Sequence, residues 1–223
     1  MSITNRKKKD LHPVKILSNK EIEKGIFIVD IERSWNFIPG QVIAVAMSPD
    51  DEPRLYSIAS GINSPYFSIL FDVKPDGALT PSLSKTKPGD LIYISEPFGK
   101  FIDLGEPGYW IATGTGIAPF ISMMESGISS NKTLLHGARE LRQFYLAEKF
   151  IASMGSRYLR FCTAETANDV ISGRLTNYLK NSDTLLPDRK YYLCGNPEMV
   201  VDVRDVLINK GIPFDNILAE IYF

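Results

Sequence analysis

The sequence predicts a two-domain protein, in which an N-terminal six-stranded antiparallel β-barrel precedes a C-terminal parallel α/β domain. The length of 223 residues suits two domains of about 100 residues each. From Val14 to about Asp103, short apolar runs are separated by turn signals, a pattern typical of a small antiparallel barrel. From Gly108 onward, strand patterns alternate with helix patterns, which indicates a parallel sheet with crossover helices. We place the boundary in the loop-like stretch Leu104–Gly108, so that the domains are residues 1–104 and 105–223.

The strands of the barrel are predicted from its apolar runs. Pro and Gly separate these runs, as at Pro39 and Gly77, because both residue types favour turns. A helical piece is expected to interrupt the strands over Thr80–Thr86. The predicted strands are Gly25–Ile31, Gln41–Met47, Tyr66–Val73 and Asp90–Ser95, with a further amphipathic strand over Arg54–Ser60.

The α/β half has a regular order of elements. Its apolar runs are short enough for strands, and the longer segments between them have the periodicity of helices. The predicted strands are Tyr109–Thr113, Thr133–Gly137, Tyr158–Cys162, Tyr191–Cys194 and Ile217–Phe223, and the predicted helices are Ala118–Glu125, Leu141–Met154, Leu175–Lys180 and Met199–Lys210.

Composition argues against several classes of protein. A net charge of −1 does not suggest a nucleic-acid binder. Two cysteines, Cys162 and Cys194, are too few for a disulfide framework or an iron–sulfur cluster, and we predict no metal site. No apolar run reaches the ~20 residues of a membrane span, and the basic N-terminal stretch lacks the apolar core of a secretory signal. We therefore expect a protein of the reducing cytoplasm. We also predict a monomer, although composition does not determine the oligomeric state.

The segment Thr113–Pro119 has the pattern of a phosphate-binding turn. It follows a predicted strand and opens a predicted helix, whose N-terminus offers unpaired N–H groups and a positive dipole end. Gly114 would permit the tight turn, and Gly116 would let the backbone approach a pyrophosphate. The alternative is a plain strand–helix turn. The basic residue Arg139, after the next strand, favours NADP over NAD, with an ordinary surface arginine as the alternative.

The stretch Arg54-Leu55-Tyr56-Ser57 offers a bidentate phosphate ligand, a flat ring and a hydroxyl within four residues. Taken alone, it is also an amphipathic strand with a solvated arginine. The set nevertheless contains the parts that are needed to hold a dinucleotide flavin.

These motifs resemble those of the plant-type ferredoxin–NADP reductase superfamily. Arg54-x-Tyr56-Ser57 is similar to its flavin motif, the turn from Gly114 to Pro119 is similar to its nicotinamide motif, and Cys194-Gly195-Asn196-Pro197 is similar to its CGxP motif. The resemblance runs from about Val14 to the last residue and is strongest to bacterial ferredoxin/flavodoxin–NADP reductases. It implies an FAD-binding barrel and an NAD(P)-binding α/β domain.

The resemblance assigns roles around the flavin. Arg54 would bind the FAD pyrophosphate, Tyr56 would stack on one face of the isoalloxazine, and Ser57 would hydrogen-bond near N5. The loop that contains Gly77, Leu79 and Thr80 resembles a second flavin loop, in which backbone N–H groups and the Thr80 hydroxyl would meet the pyrophosphate. The alternative for this loop is a turn followed by a helix cap at Thr80. The family would also place Leu55 against the cofactor.

The resemblance assigns further roles around the hydride path. Cys194 would lie beside the nicotinamide, with a buried structural thiol as the alternative. Glu220 would complete a polar set with Ser57 and Cys194, and Tyr222 would cover the second flavin face. Phe223 would pack on the adenine, with an apolar edge strand as the alternative reading of this C-terminus. The predicted catalytic residues are Ser57, Cys194, Glu220 and Tyr222, and the nucleotide side would be bound by Thr113, Gly114, Thr115, Gly116, Pro119, Arg139, Arg174, Cys194, Gly195 and Pro197.

The choice between NADPH and NADH is left open by one departure from the family pattern. Arg139 and Arg174 match basic positions, but Ala164 stands where many bacterial members have an arginine for the 2′-phosphate. One charge-assisted hydrogen bond contributes about 1.5–3 kcal/mol. We therefore expect NADP(H), with NAD(H) as the alternative cofactor.

The resemblance implies an oxidoreductase that takes hydride from NAD(P)H and passes single electrons to ferredoxin or flavodoxin. Two alternatives keep the fold and change the acceptor: a flavin reductase, or the reductase component of an oxygenase. A third alternative is a non-catalytic flavin- or nucleotide-binding subunit, against which the three hydride-path residues argue.

Overall fold

A computed structural model describes residues 10–183 and 185–221 and contains two six-stranded sheets. In the first sheet the strand order is β4-β3-β6-β1-β2-β5, and all pairs are antiparallel. In the second sheet the order is β10-β9-β8-β7-β11-β12, and all pairs are parallel. The predicted fold class is therefore confirmed. The boundary between residues 104 and 105 lies in the connection between the sheets and remains our proposal.

The first sheet closes into a barrel. The chain directly after β4 bridges to β5 through Ile58 and Ile69, and the Ala59 N–H donates to the Ser68 carbonyl at 2.7 Å. The edge strands thereby meet, so that the barrel leaves no long unpaired edge. Apolar side chains such as Ile43 fill the interior and are fully buried. The elements are β1 (His12–Glu23), β2 (Ile26–Glu32), β3 (Val42–Ala46), β4 (Arg54–Ser57), β5 (Tyr66–Asp72), α1 (Thr80–Leu83) and β6 (Leu91–Ile94).

The second sheet reverses its strand order at β7. From β7 the chain adds β8 and then β9 on one side, and it returns to add β11 and β12 on the other side. Ligands of open α/β sheets bind at the carboxyl ends of the strands beside such a switch. The elements are β7 (Gly108–Thr113), α2 (Ala118–Glu125), β8 (Lys132–Ala138), α3 (Ala147–Met154), β9 (Tyr158–Cys162), β10 (Ile171–Ser172), α4 (Leu175–Asn181), β11 (Lys190–Gly195), α5 (Pro197–Asn209) and β12 (Ile217–Ile221).

The fold differs from the sequence prediction in one helix and in two strands that were not predicted. The predicted helix Leu141–Met154 is wrong in its first half, because a short 3-10 turn ends at Gln143 and α3 begins only at Ala147. Phe144 and Tyr145, adjacent in the chain, are both buried, and Leu146 adopts a left-handed conformation with φ 56°. A continuous helix would point these two rings about 100° apart, so tertiary packing overrides the helical pattern. The long strand β1 and the short strand β10 were not predicted.

Candidate functional site

The predicted hydride-path residues meet at the carboxyl edge of the parallel sheet. The Ser57 hydroxyl, at the end of barrel strand β4, donates to Glu220 Oε2 at 2.9 Å across 163 residues of sequence. Glu220 on β12 is the register partner of Cys194 on β11, and Cys194 in turn pairs with Ala112 on β7. Ser57 and Cys194 are buried, and Glu220 is half-buried. The structure thus brings three residues from three distant segments to one place.

The predicted flavin motif forms strand β4, which becomes more buried from its start to its end. The side chain of Arg54 is 48% exposed, and its closest carboxylate, Glu52 Oε1, is 3.5 Å away, beyond good hydrogen-bond distance. The guanidinium therefore keeps donors for a phosphate. Tyr56 packs its edge on Phe71 at 6.2 Å between ring centroids, and burial raises its pKa to about 12 although Arg54 opposes this shift. The phenol stays neutral at physiological pH. Leu55 is exposed between them.

The second predicted flavin loop is a tight turn held by its own groups. The Gly77 N–H donates to the Lys74 carbonyl at 2.8 Å, and Thr80 Oγ1 accepts from the Lys74 N–H at 2.9 Å. The alternative of a cap at Thr80 is wrong, because Thr80 is the first residue of α1 and Leu79 is in the cap position. Leu79 is buried in the barrel core. The pyrophosphate role of these residues remains a prediction.

The turn after β7 has an open backbone at its first glycine and a close packing contact at its second. Gly114 has φ 56°, and no atom lies within 4 Å of the position that a Cβ would take there, so its backbone faces open space. Gly116 meets a further requirement, because a Cβ there would lie 2.4 Å from the Cys194 carbonyl oxygen, and its approach to a pyrophosphate stays a prediction. It is glycine because the turn packs directly on the end of β11. Thr115 lies in the same turn, and Pro119 lies in the first turn of α2.

The end of β11 is tied to the end of β7. Gly195 has φ 138°, and a Cβ there would lie 2.4 Å from Thr113 Oγ1. That hydroxyl accepts from the Asn196 N–H at 3.0 Å. The Asn196 side chain then caps α5 by accepting from the N–H groups of the next two non-proline residues, and Pro197 occupies the first turn. From the sequence, Asn196 was assigned only to the CGxP-like motif and not to a cap, although an Asn before a Pro at a helix start is a recognisable cap signal.

A cavity of about 390 Å³ opens beside these turns, a size within the range of small-molecule sites. Gly114, Arg139 and Arg174 all line it, so the structure joins the phosphate turn to both predicted arginines. Two acidic residues that the sequence analysis missed, Glu198 and Asp202, also line the cavity. Their i, i+4 spacing in α5 was the available signal, since it places both on one face. The residues that line the cavity fit a nicotinamide nucleotide.

The remaining predicted residues are Tyr222 and Phe223, and both lie outside the described residues. Among the residues that are described, no three His, Cys, Asp or Glu side chains gather where they would hold a metal ion. In the same ranges no helix has both the length and the apolar character to cross a bilayer.

Comparison with known proteins identifies the family. The model of the oxidoreductase NAD-binding domain matches residues 110–205. The flavodoxin/ferredoxin–NADP reductase of Escherichia coli (strain K12) is 30% identical over 199 residues, which cover 75% of this chain and 77% of that one. The chain belongs to the ferredoxin–NADP reductase superfamily. Its members are flavoprotein oxidoreductases, so the predicted keywords and the predicted cofactors, FAD with a nicotinamide nucleotide, agree with the family.

Other relatives extend the range of acceptors in this superfamily. The toluate 1,2-dioxygenase electron transfer component of Pseudomonas putida is 28% identical over 195 residues, covering 82% of this chain and 58% of that protein. The fold matches a ferredoxin NADP⁺ reductase from Neisseria gonorrhoeae, solved with bound FAD and NADP, at a TM-score of 0.86. That match has 22% identity and covers 96% of this chain and 99% of that chain.

Proposed function

We propose that this chain is an FAD-dependent oxidoreductase that exchanges hydride with NADP(H) and single electrons with a ferredoxin or flavodoxin. The observation that carries the proposal is the 2.9 Å hydrogen bond from Ser57 to Glu220. It joins the flavin motif of the barrel to the strand next to Cys194, at the edge where the nucleotide cavity opens. In a cofactor enzyme the protein supplies binding, orientation and electrostatics, and this contact lies between the two predicted binding sets.

The residues around the junction divide into two binding sets. We assign Arg54, Tyr56 and Ser57 to FAD, and Gly114, Arg139 and Arg174 to the nicotinamide nucleotide. FAD, when bound, would supply the conversion between two-electron transfer with nicotinamide and one-electron transfer with a protein carrier. Thr113, Gly195 and Asn196 fix the ends of β7 and β11 against each other, which keeps the nucleotide turn rigid.

The side chains of the junction can hold and move a proton. The Ser57 hydroxyl is buried, and its donation to Glu220 Oε2 fixes the direction in which its lone pairs point. Glu220 is half-buried, so its carboxylate connects the buried hydroxyl to solvent. We infer that this pair carries the proton that accompanies electron transfer, while the buried Cys194 thiol helps to exclude water.

We infer a modest preference for NADPH over NADH. Arg139 and Arg174 place two positive charges on the cavity, but Glu198 and Asp202 place two negative charges there, and Ala164 supplies none. A 2′-phosphate gains from the arginines and is opposed by the carboxylates. The missing guanidinium at position 164 corresponds to about 1.5–3 kcal/mol of lost discrimination.

The relatives of this chain favour two classes of electron acceptor. The similarity to the Escherichia coli reductase favours ferredoxin or flavodoxin. The similarity to a dioxygenase electron transfer component favours a second candidate, the reductase component of an oxygenase. We propose a monomer that works in the cytoplasm, whose reducing conditions suit a chain with two cysteines.

Anaerobic stopped-flow reduction of the FAD-loaded protein tests the proposal. Absorbance of the flavin band should bleach with NADPH, and more slowly with NADH at equal concentration. The reduced protein should then be mixed with ferredoxin, flavodoxin or free FMN. Saturation with free FMN alone would replace the carrier assignment with a flavin reductase. Failure to bind FAD, or failure of both nucleotides to reduce it, would contradict the central proposal.

A further inference from the structure

Besides the contact of Ser57 with Glu220, hydrogen bonds between the segment Ser60–Ser64 and helix α2 join the barrel to the α/β domain. Ser122 Oγ donates to the Ser60 carbonyl at 2.7 Å. The Gly61 N–H donates to Glu125 Oε2 at 3.2 Å, and the Ile62 N–H donates to Ser126 Oγ at 3.0 Å. We call these three hydrogen bonds the interdomain clamp.

The clamp is tight because the backbones approach closely at Gly61. A Cβ at this position would lie 2.9 Å from Glu125 Cβ and 2.9 Å from the Glu125 carbonyl oxygen. Gly61 is buried, and its φ is outside the left-handed range, so the contact with α2 and not the backbone conformation requires glycine here. Ser122 is also fully buried, so its hydrogen bond forms without competition from water.

Both halves of the clamp are anchored in their own domains. Arg33 Nη1 donates to the carbonyls of Ile62 at 2.6 Å and Ser64 at 2.8 Å. The guanidinium of Arg33 lies 5.0 Å from the centre of the Phe37 ring. On the other side, Ser126 Oγ donates to the Ser122 carbonyl at 2.7 Å, which closes the end of α2. Neither half can shift without breaking contacts in its own domain.

The clamp connects the two binding motifs by short, rigid routes. Ser60 is three residues beyond Ser57, and the intervening residues are fixed by the bridge between Ile58 and β5. On the other side, α2 begins directly after the turn of Gly114 and extends eight residues to Glu125. A helix of this length is about 12 Å long and does not bend easily. The position of Ser60 on α2 therefore sets the position of the flavin motif relative to the nucleotide turn.

We propose that Gly61, Ser122 and Glu125 are positioning residues, which set the separation of the flavin motif and the nucleotide turn and thereby the rate of hydride transfer. This inference rests on the proposed function. In that step the reduced nicotinamide would give up a hydride, which is one proton with two electrons, and would itself become the oxidised cation. The oxidised flavin would take up that hydride. Such a step depends steeply on distance, and a misplacement of about 1 Å costs on the order of 100-fold in rate.

The test compares substitutions that remove, keep or wedge the clamp in the FAD-loaded protein. Ser122→Ala and Glu125→Ala each remove one hydrogen bond of the clamp, and Gly61→Ala inserts a methyl group between the domains. Glu125→Gln keeps an acceptor for the Gly61 N–H. Lys149→Met is the matched control, because Lys149 pairs with Glu125 Oε1 at 2.6 Å, whereas the Gly61 N–H donates to the other carboxylate oxygen, Oε2.

We expect the limiting rate of flavin reduction to fall by about 10- to 100-fold in the three disrupting variants, with Gly61→Ala the most affected. The nicotinamide dissociation constant and the FAD content should stay within about twofold of the wild type, since no binding residue is changed. Glu125→Gln and Lys149→Met should also stay within about twofold in rate. Amide hydrogen exchange supplies a readout independent of turnover: the amides of residues 61 and 62 should lose protection in the three disrupting variants and keep it in Glu125→Gln and Lys149→Met.

Two results would overturn the clamp alone. One is a wild-type rate in variants whose Gly61 and Ile62 amides have lost protection. The other is a rate that falls only in proportion to lost FAD, which would make the contacts merely structural. If the wild-type protein itself binds FAD but is reduced by neither nucleotide, the proposed function fails, and the clamp proposal fails with it.

Discussion

Each edge of the parallel sheet has a carboxylate, and the two carboxylates differ in burial and in their hydrogen-bond donors. At the amino edge, Asp103 is completely buried: Oδ1 accepts from Lys132 Nζ at 2.8 Å and from the Gly105 N–H at 2.9 Å, and Oδ2 accepts from Trp110 Nε1 at 2.8 Å. At the carboxyl edge, Glu220 is half-buried and accepts from the Ser57 hydroxyl. The first carboxylate is enclosed by cationic and N–H donors, whereas the second is reached by solvent.

The difference separates stability from chemistry. Lys132 is also fully buried, and it donates to the Glu106 carbonyl as well as to Asp103, so the connection between the barrel and the sheet is held at both ends. Breaking a buried pair of this kind lowers the stability of the fold strongly, because removal of one partner leaves the other as an unpaired buried charge. Glu220 is only half-buried, so breaking its contact with Ser57 does not leave a fully buried charge. A carboxylate that solvent reaches can exchange protons. In α/β proteins the carboxyl edge is the usual place for function.

Asp103→Ala should give the largest effect on stability. It leaves the Lys132 ammonium buried without its carboxylate, and we expect a loss of about 3–5 kcal/mol in the free energy of unfolding, measured by denaturant titration. The double variant Asp103→Leu with Lys132→Met should lose less than the single variant, because no buried charge remains.

A surface pair that crosses the same interface is the control for Asp103. Arg142 pairs with Glu23 at 3.4 Å, and its side chain is 50% exposed. Arg142→Ala should leave the denaturation midpoint unchanged within error, because water screens this pair. Equal losses for Asp103→Ala and Arg142→Ala would contradict the distinction between the buried and the exposed contact.

Glu220→Gln should affect the reaction more than the fold. The amide keeps the shape and accepts the Ser57 hydrogen bond, but it does not take up a proton, so we expect the rate of flavin reduction or reoxidation to fall by about 10- to 100-fold. The free energy of unfolding should change by less than about 1 kcal/mol. Stopped-flow kinetics and denaturant titration on one preparation would compare the two. A stability loss as large as that of Asp103→Ala would remove the proposed division between the edges.

His136 sharpens the comparison along a single strand. It lies on β8 four residues after Lys132, is fully buried, and contacts the Tyr158 hydroxyl at 2.9 Å through Nδ1. Burial, assisted by the nearby Arg160 charge, lowers its pKa to about 3 from the usual 6.5. Lys132 is buried against a carboxylate, whereas His136 is held neutral.

The sign of the pH dependence follows from this shift. The unfolded state takes up a proton below pH 6.5, and the folded state does not until about pH 3, so stability is full above pH 6.5 and falls as the pH is lowered. We expect a loss of about 2 kcal/mol between pH 7 and pH 5 from this residue. His136→Phe should remove that part of the slope in denaturant titrations at several pH values. An unchanged slope would show that His136 becomes protonated in the folded protein.

The order of elements and the binding motifs were predictable because each depends on neighbouring residues. The apolar pattern of Tyr158–Cys162 and the helical pattern of Ala118–Glu125 gave both elements with their observed bounds. Gly114 was predicted to permit a tight turn, and its positive φ agrees with that prediction. Local failures occurred where packing overrides the pattern, as at Phe144–Leu146.

The sequence by itself determined the two-domain fold class, the family and the candidate residues at each cofactor. Only the tertiary structure showed that Ser57 donates to Glu220, that Gly116 packs on β11, and that Gly61 lies against Glu125. These contacts join residues that are 64 to 163 positions apart in the chain. The physical reason is that a short motif specifies its own backbone and chemistry, whereas the distance between two motifs is set by how the domains pack.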